Sequence, residues 1–217
     1  MTRKVAALTA VAAVLLVAGC SESSPGRAAP ISQPSGAVHP PGSAEPSSPQ
    51  SSASALPYSG APAVNDPLPE SVVSGDPCEA LTRQQIEQAL GENAPEGTPK
   101  ETEAGPGCNW QDSQSGAGFT VFFSNVTGQG LSAYYANTQP QVKVWRELPP
   151  IEGFPAVAYK TADDDLICSV AVGLADEFAV DVVGGLGRAA DNQVDPCDAM
   201  QALAALVVQN LRQKAGR

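Results

Sequence analysis

Two apolar periodicities organise this 217-residue chain from about residue 75 onward. Helical spacing stands at its two ends. Thr82 with Gln85 three positions on forms a capping-box pattern; Ile86, Ala89 and Leu90 then share one face before Gly91 ends the run. Near the C-terminus, Asp195 is a good N-cap and Pro196 sits at the first helical position, where its missing N–H is not needed. Met200, Leu203, Ala204, Val207 and Leu211 follow at helical spacing. Between these helices the period falls to two. Cys108–Gln111 is a short strand pattern, and Phe119, Val121 and Phe123 alternate with Thr120, Phe122 and Ser124. Leu131–Asn137 predicts a short helix, and residues 156–160, 166–172 and 177–183 predict further strands. Helices are too few to cross over between parallel strands. The expected fold is therefore α+β, a mostly antiparallel sheet packed with an N-terminal and a C-terminal helix.

The first 74 residues follow other rules. Arg3 and Lys4 precede an apolar run, Val5–Ala18, broken only by Thr9, which has the length of an export signal and is short for a membrane span. Small Ala18 and Gly19 then precede Cys20, and the run Leu16-Val17-Ala18-Gly19-Cys20 resembles the bacterial lipobox. That resemblance implies cleavage after residue 19 and covalent lipid on Cys20, diacylglyceryl on sulfur with an N-acyl chain, which together anchor stably where one chain does not. Residues 20–74 are rich in Ser, Pro, Ala and Gly, a composition that predicts a disordered tether reaching about 40 Å as a flexible coil. The folded domain is expected over residues 75–217.

Cysteine count supports the assignment. The chain has five cysteines. Giving Cys20 to lipid leaves Cys78, Cys108, Cys168 and Cys197, an even set suited to two disulfides in an oxidising compartment. Three connectivities are open, each bridge contributing roughly 3 to 5 kcal/mol in the entropic account. We favour neighbours in sequence, Cys78 with Cys108 and Cys168 with Cys197. A zinc site is disfavoured, since no Cys-x-x-Cys pair and no nearby histidine is present.

The only histidine, His39, lies in the tether, so a Ser-His-Asp triad, a Cys-His pair or a histidine metal site cannot be built within the domain. Carboxylates remain, among them Asp163, Asp164, Asp165, Asp176, Glu177 and Asp181, and a glycosidase needs two. An EF-hand register starting at Asp163 would put Cys168 where the turn glycine belongs and Leu174 where the bidentate Glu belongs, so Asp163–Asp165 reads as a solvated hairpin turn. Gly185–Ala190 matches a dinucleotide loop in letters, but Asp191 and Asn192 interrupt the helix that should follow. Trp110 and Trp145 read as core or rim aromatics, with sugar stacking as the lesser alternative. The whole chain carries a net charge of -11. Removing Arg3 and Lys4 with the signal leaves 10 basic against 23 acidic residues. That balance disfavours nucleic acid and anionic lipid surfaces as direct partners.

Several short motifs together resemble a known family. They are Asp76-Pro77-Cys78-Glu79-Ala80-Leu81-Thr82, Cys108-Asn109-Trp110, Gly153-Phe154-Pro155-Ala156, a strand cysteine at Cys168, and Asp195-Pro196-Cys197 opening the last helix. In this order, behind a lipobox, they are similar to actinobacterial lipoproteins of the domain-of-unknown-function 3558 family. The resemblance implies an envelope lipoprotein with a disulfide-bonded α+β domain, and it carries over no catalytic residues. The expectation is a non-enzymatic module, held on the extracytoplasmic face of the cell membrane by the Cys20 lipid, that binds an envelope protein or a small ligand. No cofactor and no metal are expected. The alternative is a carboxylate-dependent hydrolase of cell-wall glycan.

Overall fold

The computed structural model describes residues 55–187 and 194–217; the expected signal, Cys20, His39 and most of the tether lie outside them, as do Arg188–Ala190 of the glycine motif. Seven strands form one antiparallel sheet: β1 (Thr98–Thr102), β2 (Gly105–Gln111), β3 (Ala117–Ser124), β4 (Val144–Ile151), β5 (Phe154–Lys160), β6 (Cys168–Gly173) and β7 (Ala179–Leu186). Their order across the sheet is β1-β2-β3-β7-β6-β5-β4. Two meanders thus meet along β3 and β7, where Val121 lies opposite Val182 and Phe122 opposite Asp181.

The C-terminal helix, α3 (Pro196–Lys214), covers one face. Asp195 caps it through Cys197 N at 3.0 Å, and Met200, Leu203, Ala204, Val207, Val208 and Leu211 are buried against Val170, Val172, Val180 and Val182 of the central strands. The short α1 (Arg83–Leu90) begins with the expected Thr82–Gln85 capping box. Its apolar face is narrower than its spacing suggests: Ile86 is buried and Leu90 half-buried, but Ala89 is exposed. Asn210 of α3 ties this corner together, donating to Ala80 O at 2.9 Å and to Gln85 Oε1 at 2.8 Å.

The other face owes its cover to topology. β4 runs in the same direction as β3 and lies four strand spacings away, about 19 Å. The connection must therefore cross the sheet and return its length. It does so through α2 (Gly130–Ala133), a π-turn (Tyr134–Thr138) and a 3₁₀ turn (Gln139–Gln141), burying Leu131 and Tyr135 on Val157, Ala171 and Ala179. Gly130 allows this seating: its φ is +46°, and a Cβ there would stand 2.4 Å from the carbonyl oxygen of Asp176.

Both disulfides join cysteines that are neighbours in sequence order, as expected. Cys78 bonds Cys108, fixing a 3₁₀ turn (Pro77–Glu79) to β2, and Cys168 bonds Cys197, fixing the start of β6 to the first turn of α3. The turn between β4 and β5 places Glu152 (φ 52°) and Gly153 (φ 88°) both in the left-handed region, the conformation a tight hairpin demands. Arg212 and Gln209 of α3 hold the Glu152 carboxylate at 3.3 and 2.8 Å.

Three expectations change. The edge strands β1 and β4 were not anticipated. β1 is exposed throughout, and β4 carries Pro149 and Pro150 at an irregularity between Leu148 and Ile151, which an edge tolerates because one row of N–H groups has no strand partner. The strand expected from Leu166 begins at Cys168, since Leu166 and Ile167 are exposed and Asp165 Oδ1 accepts from Ile167 N at 3.1 Å in a turn. Most substantially, residues 55–74 are not tether but a strap. Ala61 packs on the crossed face, while Leu68, Val72 and Val73 enter the core under α3. The strap's backbone is satisfied too: Leu68 N donates to Leu174 O at 2.9 Å, and Val64 N to Asp176 Oδ1 at 2.9 Å. Composition alone misplaced the boundary because a few buried apolar side chains outweigh a Pro/Ser-rich average. Leu68→Ala should lower stability by about 2 to 5 kcal/mol in urea unfolding. An unchanged midpoint would return the segment to the tether.

Candidate functional site

The crossed face carries the polar chemistry. On β7 the alternation sends Val180 and Val182 toward α3 and leaves Ala179, Asp181 and Val183 for the other side. Asp181 sits in the middle of the sheet with only 6% of its surface exposed. Its Oδ2 accepts a 2.7 Å hydrogen bond from the Tyr159 hydroxyl of β5. Its Oδ1 has no partner among the described residues. Tyr134, at the start of the π-turn, brings a second hydroxyl into the field of the carboxylate and shares a 2.7 Å hydrogen bond with Ser124 Oγ at the end of β3.

An aromatic row supports these groups. Tyr134 and Tyr159 lie 6.2 Å apart between ring centroids, Tyr159 stacks on Trp145 at 6.1 Å, and Trp145 meets Tyr135 edge-on at 5.1 Å. The Tyr135 hydroxyl donates to Glu147 Oε1 at 3.1 Å. Trp145 is half-buried between Tyr159 and Tyr135, and Trp110 is buried against Phe119 at 5.1 Å in the core under α3, so Trp110 offers no open platform for a sugar.

Burial decides the titration of the cluster. Desolvation raises the Asp181 carboxyl from 3.8 to about 6, even though the Tyr159 hydrogen bond and the nearby Tyr134 hydroxyl favour its charged form. The same burial, reinforced by the charge of Asp181, pushes the Tyr159 and Tyr134 hydroxyls well above their ordinary value, so both remain protonated donors. Tyr135 is pushed up to about 12, by burial first and then by Glu147.

Asp181 also lines a cavity of about 350 Å³ at the end of β3, bounded by the β1–β2 turn and the crossing connection. Phe122, Ala104 and Ala133 supply apolar wall; Thr102, Ser124, Thr127, Tyr134, Asn137 and Thr138 supply polar groups. Asp181 is the one charged side chain in this lining. The other acids singled out in the sequence do not join it. Asp163–Asp165 occupy the turn before β6, and Asp176 and Glu177 the turn after it, so a six-residue strand of about 20 Å separates the two groups. No group of three or more His, Cys, Asp or Glu able to hold a metal occurs among the described residues. A second depression has two acids, Glu152 and Asp198, but Glu152 is already engaged by Arg212 and Gln209.

The sequence model of the family described as "Protein of unknown function (DUF3558)" matches residues 15–210. The chain belongs to this family. No curated protein and no solved structure matches it. The matched span takes in the strap, all seven strands and most of α3 of this DUF3558 domain, as well as all five cysteines.

Asp181 was visible in the sequence only as one acid among several. A sharper signal was its setting: a lone carboxylate inside Ala179-Val180-Asp181-Val182-Val183, where every neighbour is apolar. The groups clustered around it in the DUF3558 domain come from β5, β3 and the crossing connection, which only the strand order brings together.

A carboxyl that protonates more readily when folded favours the folded state at low pH. Its contribution falls as pH rises from about 4 to about 6, a span corresponding to about 3 kcal/mol. Asp181→Asn should therefore gain about 3 kcal/mol relative to the native chain between about pH 4 and about pH 7 in urea unfolding. A constant difference across that range would contradict the raised carboxyl.

Proposed function

We propose that this DUF3558 protein is an extracytoplasmic lipoprotein, anchored to the membrane through Cys20, whose folded head is a non-enzymatic binding module. The observation that carries the binding reading is the cavity lined by Asp181, a buried carboxylate with one oxygen left without a partner among the described residues, on a wall otherwise built from apolar surface, hydroxyl groups and an amide. Apolar enclosure with a few convergent polar groups is the usual make-up of a small-molecule site. The anchor reading rests on the basic start, the apolar run and Leu16-Val17-Ala18-Gly19-Cys20.

The hydrolase alternative has less support. Retaining and inverting glycosidases both place two carboxyl groups across the scissile bond, and this cavity offers one. All four cysteines of the head are in disulfides, which removes them as thiolate nucleophiles.

Native mass spectrometry of the protein recovered from its own cells tests both parts. The native chain should carry the mass of the Cys20 lipid and a bound small molecule, and Cys20→Ser should lose the lipid, leave the membrane fraction and keep the small molecule. Lipid on the variant would refute the anchor; absence of a small molecule from both forms would refute the binding reading.

A further inference from the structure

We propose that the cavity beside Asp181 takes a small organic ammonium, a ligand whose charged group pairs with the Asp181 carboxylate while its hydrocarbon body lies on Phe122 and the alanine wall. This rests on the reading of that cavity as the binding site and adds the chemical class of its ligand.

Four observations lead to it. First, Asp181 is buried, and one of its two oxygens has no hydrogen-bond partner among the described residues. An ionised carboxylate only accepts, so the group missing from this site is a donor. Second, no basic side chain lines the cavity, and the ion pairs of the described residues all lie elsewhere, leaving Asp181 without a cationic partner. A buried charge is tolerated best when it is paired and hydrogen-bonded. Third, the remaining polar wall is hydroxyl and amide, from Thr102, Ser124, Thr127 and Asn137 among others, with nothing to neutralise an anionic ligand. Fourth, Phe122 and Tyr134 offer aromatic surface, which attracts a cation approaching a ring face. The net charge of -11 draws cations toward the domain from a distance.

An ammonium paired with Asp181 makes a charge-assisted hydrogen bond to a buried carboxylate. The titratable groups facing Asp181 are Tyr159 from β5 and Tyr134 from the crossing connection, both held neutral. β3 and β6 present Phe122, Ser124, Ser169 and Ala171 on this side, none of them charged. The carboxyl of Asp181 is therefore the group whose ionisation near pH 6 governs binding.

The test compares three probes of one shape, cyclohexylammonium, cyclohexanol and cyclohexanecarboxylate, by amide NMR on the full chain at about pH 5 and about pH 7.5. Cyclohexylammonium should move the Ser124, Tyr134 and Asp181 signals saturably and bind about 10-fold more tightly at the higher pH, following the ionised fraction of Asp181. Cyclohexanol should bind about 10-fold more weakly than the ammonium at that pH, and the carboxylate more weakly still. Asp181→Asn should abolish both the pH dependence and the preference for the cation. Equal binding of cyclohexanol and cyclohexylammonium at both pH values, or tighter binding of the carboxylate, would overturn the ammonium assignment while leaving the cavity a binding site. No shift at these residues with any probe would overturn both readings. The probe comparison on the native chain decides even if the Asn variant folds poorly.

Discussion

Pairing of β3 with β7 is the constraint from which the rest of this domain follows. It joins two meanders edge to edge and leaves β4 at the far side of the sheet, running in the direction of β3. A chain leaving β3 must then travel diagonally across one face to begin β4. That passage covers a face that α3 does not reach, and it lays Tyr134 beside Ser124 and over the middle of β7. Hairpin connections alone would have left Asp181 facing solvent. With the crossing segment in place it is buried, and a cavity remains where the segment lifts away from the end of β3.

The two faces solve different problems. Under α3 the sheet presents Val170, Val172, Val180 and Val182 with Phe119, Phe123 and Trp110, an apolar layer secured at its margins by the two disulfides. The disulfides close loops of 30 and 29 residues, each worth about 3.6 kcal/mol in the chain-entropy account. The crossed face keeps a carboxyl away from water with one oxygen unpartnered among the described residues, an arrangement that disfavours the charged folded state at neutral pH. Stability supplied on one face therefore offsets a polar arrangement on the other that packing alone does not explain. A cationic ligand paired with the Asp181 carboxylate would give that arrangement a purpose.

Legibility followed burial pattern. α3 showed itself because its stripe and its Asp195-Pro196 start agree, and β3 because Phe119, Val121 and Phe123 alternate with Thr120 and Ser124. β6, buried on both sides, still read as a strand from its continuous apolar run, although Leu166 and Ile167 extended that run past the true start. The edges were silent: β1 exposes every residue, and the prolines of β4 argue against a strand unless its place at the rim is known. Leu68, Val72 and Val73 were hidden in a Pro- and Ser-rich stretch whose average favours disorder. The site was the least legible part, since Asp181, Tyr159, Tyr134 and Ser124 come from four segments, and no local spacing encodes the order β3-β7-β6-β5.

All of this turns on the state of one side chain, and a carboxyl-carbon NMR titration of Asp181 reads it directly. The account predicts a midpoint near pH 6, set by burial against the favourable pull of Tyr159 and Tyr134. A midpoint at or below the ordinary 3.8 would mean a solvated or otherwise paired carboxylate, and would contradict both the burial of Asp181 and the unpartnered acceptor on which the binding site is built.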